Sequence, residues 1–270
     1  MSSLKKLVVA VAGFFLIDKI GSRVLFFFSG MGESMILLYN SLKNLKYVHR
    51  DRALVLEQMV IVGVNSIPLV IVTATFAGMV SAVQAGYQLQ GFASPQMFLG
   101  SATSRAITIE LGPVLTGLVL SGRFAASIAA EIGTMKVTEQ IDALETMAID
   151  PVRYLATPRL LAGLVMMPVL IVFADFIAIS GSMFIGYLSM DVDPQAFLSS
   201  VQRFMELRDV MSGLAKAVLF GASTALIGCY VGFATEGGAE GVGLATIRAF
   251  VLSAAAILVN DYIVATVFLT

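Results

Sequence analysis

Five long apolar runs constrain the fold of this chain more than any other feature of its sequence. A helix needs about 20 apolar residues to cross the hydrocarbon core of a bilayer. The runs that reach this length are Met59–Val83, Ile107–Ala130, Leu160–Tyr187, Val210–Ala234 and Leu244–Leu269. Only 13% of all residues are charged, whereas a soluble domain carries about a quarter. The sequence therefore predicts an all-α polytopic membrane protein with about five transmembrane helices.

The N-terminal part is expected to differ from these spans. Two apolar runs, Leu7–Ile17 and Leu25–Leu38, are too short to cross a bilayer and are bounded by charged residues. Such segments are typical of amphipathic helices that lie in the membrane interface. We therefore interpret the chain as one domain, with interfacial helices over residues 1–52 and a transmembrane bundle over residues 53–270.

The distribution of lysine and arginine predicts the orientation of the chain. The side that holds the N-terminus also holds most of the cations: Lys5, Lys6, Lys19, Arg23, Lys43, Lys46, Arg50 and Arg52. The opposite loops hold only Arg203 and Arg208, with Arg105 at the edge of a span. Cytoplasmic loops carry such an excess. We expect a cytoplasmic N-terminus, and five spans then place the C-terminus outside.

The polar segment Glu131–Arg159, called the interlude below, separates the second and third spans. At about 100° per residue, one helix face collects apolar side chains and the other polar ones. The apolar face holds Val137, Ile141, Leu144 and Ala148, and the opposite face holds Glu139, Asp142 and Thr146. Pro151 should end this helix at Asp150. The pattern predicts a helix over residues 131–150 that lies against the bundle and presents carboxylates to water.

Two interpretations of the interlude remain open on physical grounds. It is either a solvated connection between two spans or a coupling helix that a cytoplasmic motor protein pushes. Short loops are the commoner way to join helices, so the length of the segment favours the second interpretation without establishing it.

Ionisable residues inside the predicted spans are expensive to bury and are candidates for function. Three of them, Glu110, Lys216 and Asp261, fall at similar depths near one membrane face. They form either a structural ion cluster or a polar patch that lines a lipid cavity. A transporter driven by an ion gradient, which would use these three charges, is the alternative function.

Two further intramembrane charges are harder to place. We expect Arg123 either to extend its guanidinium to the interface or to pair with Glu131, and Asp175 to face the protein interior. The small residues Gly122, Ala126, Gly228 and Gly232 favour close helix packing, within one subunit or at a dimer seam.

Several function classes are disfavoured. The single cysteine and single histidine argue against a metal site and against His-based catalysis, so no catalytic or metal-binding residue is predicted. No basic stripe or stacking platform indicates nucleic-acid binding.

Two segments carry a resemblance to a known family. They are GPVLTGLVLSGRFAA, Gly112–Ala126, and EIGTMKVTEQIDAL, Glu131–Leu144. Within Glu110–Ala162 the sequence closely resembles the signature region of the MlaE family of ABC-transporter permeases, and the similarity extends over the chain. The resemblance implies a permease subunit in the bacterial inner membrane that moves phospholipids or related lipids and maintains outer-membrane lipid asymmetry.

The resemblance also implies partners. Family complexes pair two permease copies with two cytoplasmic ABC ATPases and an extracytoplasmic MCE-domain lipid carrier, and some add a STAS-domain protein. ATP and Mg would be bound by the ATPase, and no cofactor is expected in this chain, which contains no GxxxxGK[ST] motif. The residues expected to couple to the ATPase are Glu131, Lys136, Thr138, Glu139, Asp142 and Glu145.

Overall fold

The computed structural model describes residues 29–89 and 95–269, and the helices within these ranges account for nearly all of them. No strand occurs in these two ranges. The α-helices are α1 (residues 29–44), α2 (Arg52–Val62), α3 (Ile67–Gln88), α4 (Pro95–Ala106), α5 (Gly112–Val137), α6 (Gln140–Thr146), α7 (Thr157–Met190), α8 (Pro194–Phe204), α9 (Leu207–Phe233) and α10 (Gly238–Leu269).

Five continuous helical stretches are long and apolar enough to cross a membrane. They are Arg52–Gln88, Met97–Val137, Val152–Met190, Leu207–Phe233 and Gly238–Phe268. Each coincides with one predicted run, so the prediction of an all-α protein with five spans is confirmed. The structure extends the first three well beyond the apolar runs, because α2 joins α3, α4 joins α5, and a π-helical segment joins the interlude to α7.

Small residues allow the spans to pack closely. Helix α5 packs against α9 and α10, and α7 packs against α3 and α9. A Cβ added at Gly221 of α9 would lie 2.2 Å from the carbonyl oxygen of Gly163 in α7. A Cβ added at Gly78 of α3 would lie 1.9 Å from the carbonyl oxygen of Ala178. Glycine is therefore required where these backbones meet.

The predicted packing residues lie at contacts within the chain. Gly228 and Gly232 of α9 face α5, where an added Cβ would lie 3.0 Å from Ile128 Cβ and 2.7 Å from Ile132 Cβ, respectively. Gly122 faces the ring of Phe250 in α10. The neighbouring Ala126 is half-buried. For the two α9 glycines, these contacts agree with packing inside one subunit.

Helix α1 lies against the interlude side of the bundle. Its Leu37 joins a buried cluster with Ile141 and Leu144 of α6 and with Leu160 of α7. The predicted helix Leu7–Ile17 and the first residues of Leu25–Leu38 lie outside the described residues. The rest of Leu25–Leu38 is helical, as predicted.

The opposite side of the bundle carries the short helices α4 and α8. Phe197 of α8 is fully buried against Leu99 of α4. The hydroxyl of Ser200 accepts a hydrogen bond from the Ser101 N–H at 3.1 Å and donates one to the Met97 carbonyl at 2.6 Å. These contacts attach the two helices to each other at this end of the spans.

Candidate functional site

The interlude is two helices rather than the single helix predicted over residues 131–150. Helix α5 continues to Val137, and α6 covers only Gln140–Thr146. Glu139 adopts a left-handed conformation with φ 60°, and the Glu139 N–H donates to the Lys136 carbonyl at 3.2 Å. A left-handed residue just past a helix end is a common helix terminator, and here it redirects the chain into α6.

The predicted faces of the interlude agree with the structure only as far as α6 extends. Ile141 and Leu144 are buried against the bundle, as the periodicity predicts. The prediction for Ala148 is wrong, because α6 ends at Thr146 and Ala148, with φ 58°, is exposed. Val137 belongs to α5 and is half-buried.

The carboxylates of the interlude are exposed. They are Glu139, Asp142, Glu145 and Asp150. Lys136 lies 3.4 Å from Asp142, and 40% and 59% of the two side chains are exposed, so this ion pair contributes little stability. Thr138 is exposed and accepts a hydrogen bond from Gln140 at 3.0 Å. The result is an acidic surface carried on a short helix whose other face is anchored in the core.

A groove of about 470 Å³ lies between parts of α6, α1 and α9. Glu33, Asn40, Lys136, Glu145 and Tyr230 are among its lining residues. The groove opens next to the acidic surface, so the three helices leave a concave, mixed-charge recess on the interlude side.

Glu131 pairs with a different residue from the one proposed. Its carboxylate lies 2.6 Å from Arg159 Nη2. Arg123 instead donates to the hydroxyl of Ser66, so the proposed pairing with Glu131 is wrong. Arg123 and Glu131 are eight residues apart on one helix, or about 12 Å along its axis, whereas Arg159 faces Glu131 from a neighbouring helix.

Arg159 is a functional candidate that the sequence did not indicate. Its side chain is only 3% exposed, and Nη1 donates to the Leu155 carbonyl at 2.7 Å. Leu155 belongs to a π-helical segment, Val152–Ala156, at the start of the third span. In sequence, Arg159 looks like an ordinary interfacial cation, and its partner Glu131 lies too far along the chain for local spacing to reveal the pair.

A second ion pair joins α2 to the exit of the interlude. Arg153 Nε and Nη2 donate to the two oxygens of Asp51 at 2.7 and 2.9 Å. The hydrogen bond from Arg153 holds the pKa of the Asp51 carboxyl below its ordinary value. The Arg153 guanidinium also lies over the Tyr47 ring, 4.5 Å from its centroid.

The structure brings Glu110, Lys216 and Asp261 together at the other end of the bundle. Lys216 Nζ of α9 lies 2.9 Å from Glu110 Oε2 and 2.7 Å from Asp261 Oδ1 of α10. It also donates to the Ile109 carbonyl at 2.9 Å. Glu110 and Ile109 belong to a second π-helical segment, Ile107–Leu111, which precedes α5. We call these three charged residues the far cluster.

The far cluster is closed around its lysine. Its ammonium donates one hydrogen bond, to the Ile109 carbonyl, and forms ion pairs with the two carboxylates. The lysine side chain has no exposed surface, while 19% of Asp261 and 44% of Glu110 are exposed. Two carboxylates on one lysine leave a net charge of −1. Of the three, Glu110 is therefore the group most available to another molecule.

Asp175 lies in α7 beside the junction of the π-helical segment and α5. Its Oδ1 is buried and accepts no hydrogen bond from any described residue. A Cβ added at Gly112 would lie 1.7 Å from that oxygen, so only glycine allows Asp175 this close to the backbone. No group of three His, Cys, Asp or Glu side chains that could hold a metal ion occurs in the described parts of the chain.

The sequence is similar to a family of membrane permeases. The family model described as Permease MlaE matches residues 55–267. The chain is 37% identical over 251 residues to a probable ABC transporter permease protein of Rickettsia felis, a match that covers 93% of this chain and 96% of the relative.

Two further relatives have names that refer to lipids. The intermembrane phospholipid transport system permease protein MlaE of Haemophilus influenzae is 33% identical over 252 residues, with 93% of this chain and 96% of that protein covered. The chloroplastic protein TRIGALACTOSYLDIACYLGLYCEROL 1 of Arabidopsis thaliana is 32% identical over 213 residues, with 79% of this chain and 61% of that protein covered.

Proposed function

The chain belongs to the MlaE permease family, and from this premise we propose that it is the permease subunit of an ATP-driven transporter for phospholipids or related lipids. It moves lipid between the inner membrane and an extracytoplasmic MCE-domain carrier. Two copies of the chain work with two cytoplasmic ABC ATPases, which bind ATP and Mg, and a STAS-domain protein completes some such assemblies. The N-terminus and the interlude lie in the cytoplasm, and the C-terminus lies outside.

One observation carries this proposal: a single continuous helical stretch, Met97–Val137, joins the far cluster to the interlude. Glu110 lies near one end of it, and Val137 connects to α6 at the other. A push on the interlude is transmitted along α5 to the π-helical segment that holds Glu110, because an α-helix compresses little along its axis. The same push reaches α7 through the Glu131–Arg159 ion pair.

The acidic surface of α6 is the proposed contact with the ATPase. Buried Ile141 and Leu144 anchor the helix in the core, while Glu139, Asp142 and Glu145 remain exposed. Lys136, Thr138 and Glu131 flank this surface. Energy must enter through such a contact, since the sequence contains no phosphate-binding loop of its own.

The far cluster is the proposed polar boundary of the lipid cavity. Two copies of the chain enclose this cavity, and closure of the ATPases moves the spans and expels the lipid toward the carrier. The ammonium of Lys216 is buried between two carboxylates and the Ile109 carbonyl. Contact with a lipid headgroup therefore falls to the half-exposed Glu110, while Lys216 and Asp261 hold it in place.

The first test is purification of the tagged chain from native membranes in mild detergent, with identification of the proteins and lipids that remain bound. We expect an ABC ATPase, an MCE-domain protein and phospholipid. In proteoliposomes, lipid transfer by this complex should require ATP. Transfer driven by an ion gradient without ATP would instead support the secondary transporter that uses Glu110, Lys216 and Asp261.

The second test concerns the lipid cavity. Lys216→Ala removes the centre of the far cluster and should lower both the bound lipid and the rate of transfer in an assembled complex. A variant complex with unchanged lipid occupancy and turnover would remove the far cluster from the lipid path.

A further inference from the structure

Four exposed cations lie in the stretch from the end of α1 to the start of α2. They are Lys43, Lys46, Arg50 and Arg52. We call this stretch the basic band. None of the four forms an ion pair with any residue that the structure describes. The one carboxylate within the band, Asp51, is occupied by Arg153.

Asp150, a carboxylate that contacts this stretch through Asn44, is hydrogen-bonded by two uncharged donors. Asp150 Oδ2 accepts a hydrogen bond from Asn44 at 3.0 Å, and its Oδ1 accepts one from the Val152 N–H at 2.9 Å. Asp150 keeps its charge, but the four cations of the band together with Arg153 outnumber Asp51 and Asp150, so this region has a local excess of positive charge.

The backbone of the band is held in place rather than loose. Asp51 is fixed to Arg153 by two hydrogen bonds, and the Tyr47 ring packs on the same guanidinium. Asn44 adds a third connection to the interlude through Asp150. The four cations are therefore displayed from a segment with a defined position relative to the spans.

Exposed apolar side chains flank the band on both sides. On α1, four exposed apolar side chains share one face of the helix: Met31, Met35, Tyr39 and Leu42. With about 100° of rotation per residue, they fall within about 80° of one another around the helix axis. After the band, Leu56 and Val60 are exposed on α2, where the first span begins at Arg52. Exposed apolar surface next to a span faces acyl chains, so the cations between these surfaces lie at headgroup height.

We propose that the basic band binds the anionic headgroups of phospholipids in the leaflet that contains α1. This bound lipid is a standing component of the permease and is distinct from the transported lipid. Clusters of lysine and arginine next to a span attract anionic lipids electrostatically, and each cation contributes about a fivefold gain in affinity. The flanking apolar surface favours a lipid over an acidic protein, which would have to lie within the bilayer boundary to reach the band.

The experiment measures lipid binding to the delipidated, full-length chain by native mass spectrometry. Phosphatidylglycerol and phosphatidylcholine with the same acyl chains are the two probes. The test variant is Arg50→Gln with Arg52→Gln. The matched control is Arg203→Gln with Arg208→Gln, which removes two exposed cations from the opposite side of the bundle.

We expect the unaltered chain to bind phosphatidylglycerol at least about 25-fold more tightly than phosphatidylcholine. The test variant removes two cations that each contribute about fivefold, so it should lose about 25-fold of that affinity, and the control should lose none. Lys43→Gln with Lys46→Gln provides a second variant should the first be poorly folded.

Three results would overturn the proposal. They are equal affinity for the two lipids, equal losses in the test and control variants, and retention of an acidic partner protein through the band in membranes of phosphatidylcholine alone. None of these bears on ATP-dependent transfer, so the proposed function stands or fails separately.

Discussion

Two buried cations at opposite ends of the bundle share an arrangement but differ in how firmly they are enclosed. Lys216 and Arg159 each contact a glutamate, Glu110 and Glu131 respectively. Each also donates to a backbone carbonyl within a five-residue π-helical segment. Such segments shift the backbone hydrogen-bond register and are frequent at functional sites. At both ends, the long side chain of a lysine or arginine donates a hydrogen bond to a backbone carbonyl of the π-helical segment.

The difference lies in the number of helices joined and in the exposure of the acids. Lys216 joins α9, α10 and the segment before α5, through two carboxylates. Arg159 joins only α5 and the start of the third span, and 48% of its single acidic partner, Glu131, is exposed. The far end is therefore a closed three-helix junction, whereas the interlude end is a two-helix joint with one acid in water. We therefore expect the interlude end to be the weaker of the two joints.

The largest expected effect comes from breaking the closed junction. Lys216→Ala leaves two carboxylates and a carbonyl without their donor, and loss of one partner from a buried ion pair costs about 3–5 kcal/mol. Unfolding of the purified chain by a denaturing detergent measures this free energy. A loss below about 1 kcal/mol would show that water hydrates the two carboxylates and the carbonyl once the lysine is removed, and would contradict the closed junction.

The equivalent change at the interlude end should cost less. Arg159→Ala frees Glu131 to be hydrated, so the main loss is that of hydrogen bonds from a charged group, about 1.5–3 kcal/mol. The same detergent titration measures it, and Glu131→Gln serves as the milder companion. If Arg159→Ala were as damaging as Lys216→Ala, the contrast between the two ends would be wrong.

A smaller effect distinguishes the two acids of the far cluster. Asp261 is closer to Lys216 and less exposed than Glu110. Because each substitution leaves one carboxylate to balance the lysine, we expect Asp261→Asn to cost about 1 kcal/mol and Glu110→Gln less, in the range of partly exposed pairs. The reverse order in the same titration would make Glu110 the principal partner.

Sequence reasoning was sufficient for the spans and for the far cluster but not for the interlude end. Apolar run length locates all five spans, and counting residues from the span ends brings Glu110, Lys216 and Asp261 to one height. The roles proposed for these residues remain predictions. Depth can be counted because a span has a known rise per residue.

The Arg159–Glu131 pair depends instead on how two helices face each other. The periodicity of a single helix does not predict which residue of another helix it faces. The break at Glu139 was missed for a related reason. A left-handed glutamate is uncommon, and no glycine or proline marks it in the sequence.

The smallest expected effect is a pH dependence on the interlude side. Arg153 lowers the pKa of Asp51, so this ion pair stabilises the fold above the ordinary pKa of an aspartate, and its contribution is lost as the pH falls through the lowered value. We expect the thermal unfolding temperature to fall between pH 6 and about 3, and we expect part of this fall to be absent in the Asp51→Asn variant. An identical pH profile in the variant would assign the acid sensitivity to other carboxylates.

The account depends most directly on the claim that the interlude receives the ATPase. The decisive measurement is co-purification of the ATPase with a Glu139→Lys, Asp142→Lys variant. The control is Glu236→Lys with Glu240→Lys, which makes the same change in charge at exposed positions just before the last span and in its first turn. We predict that the interlude variant loses the ATPase and lipid transfer while the control keeps both. Undiminished ATPase binding and transfer in the interlude variant would contradict the coupling role.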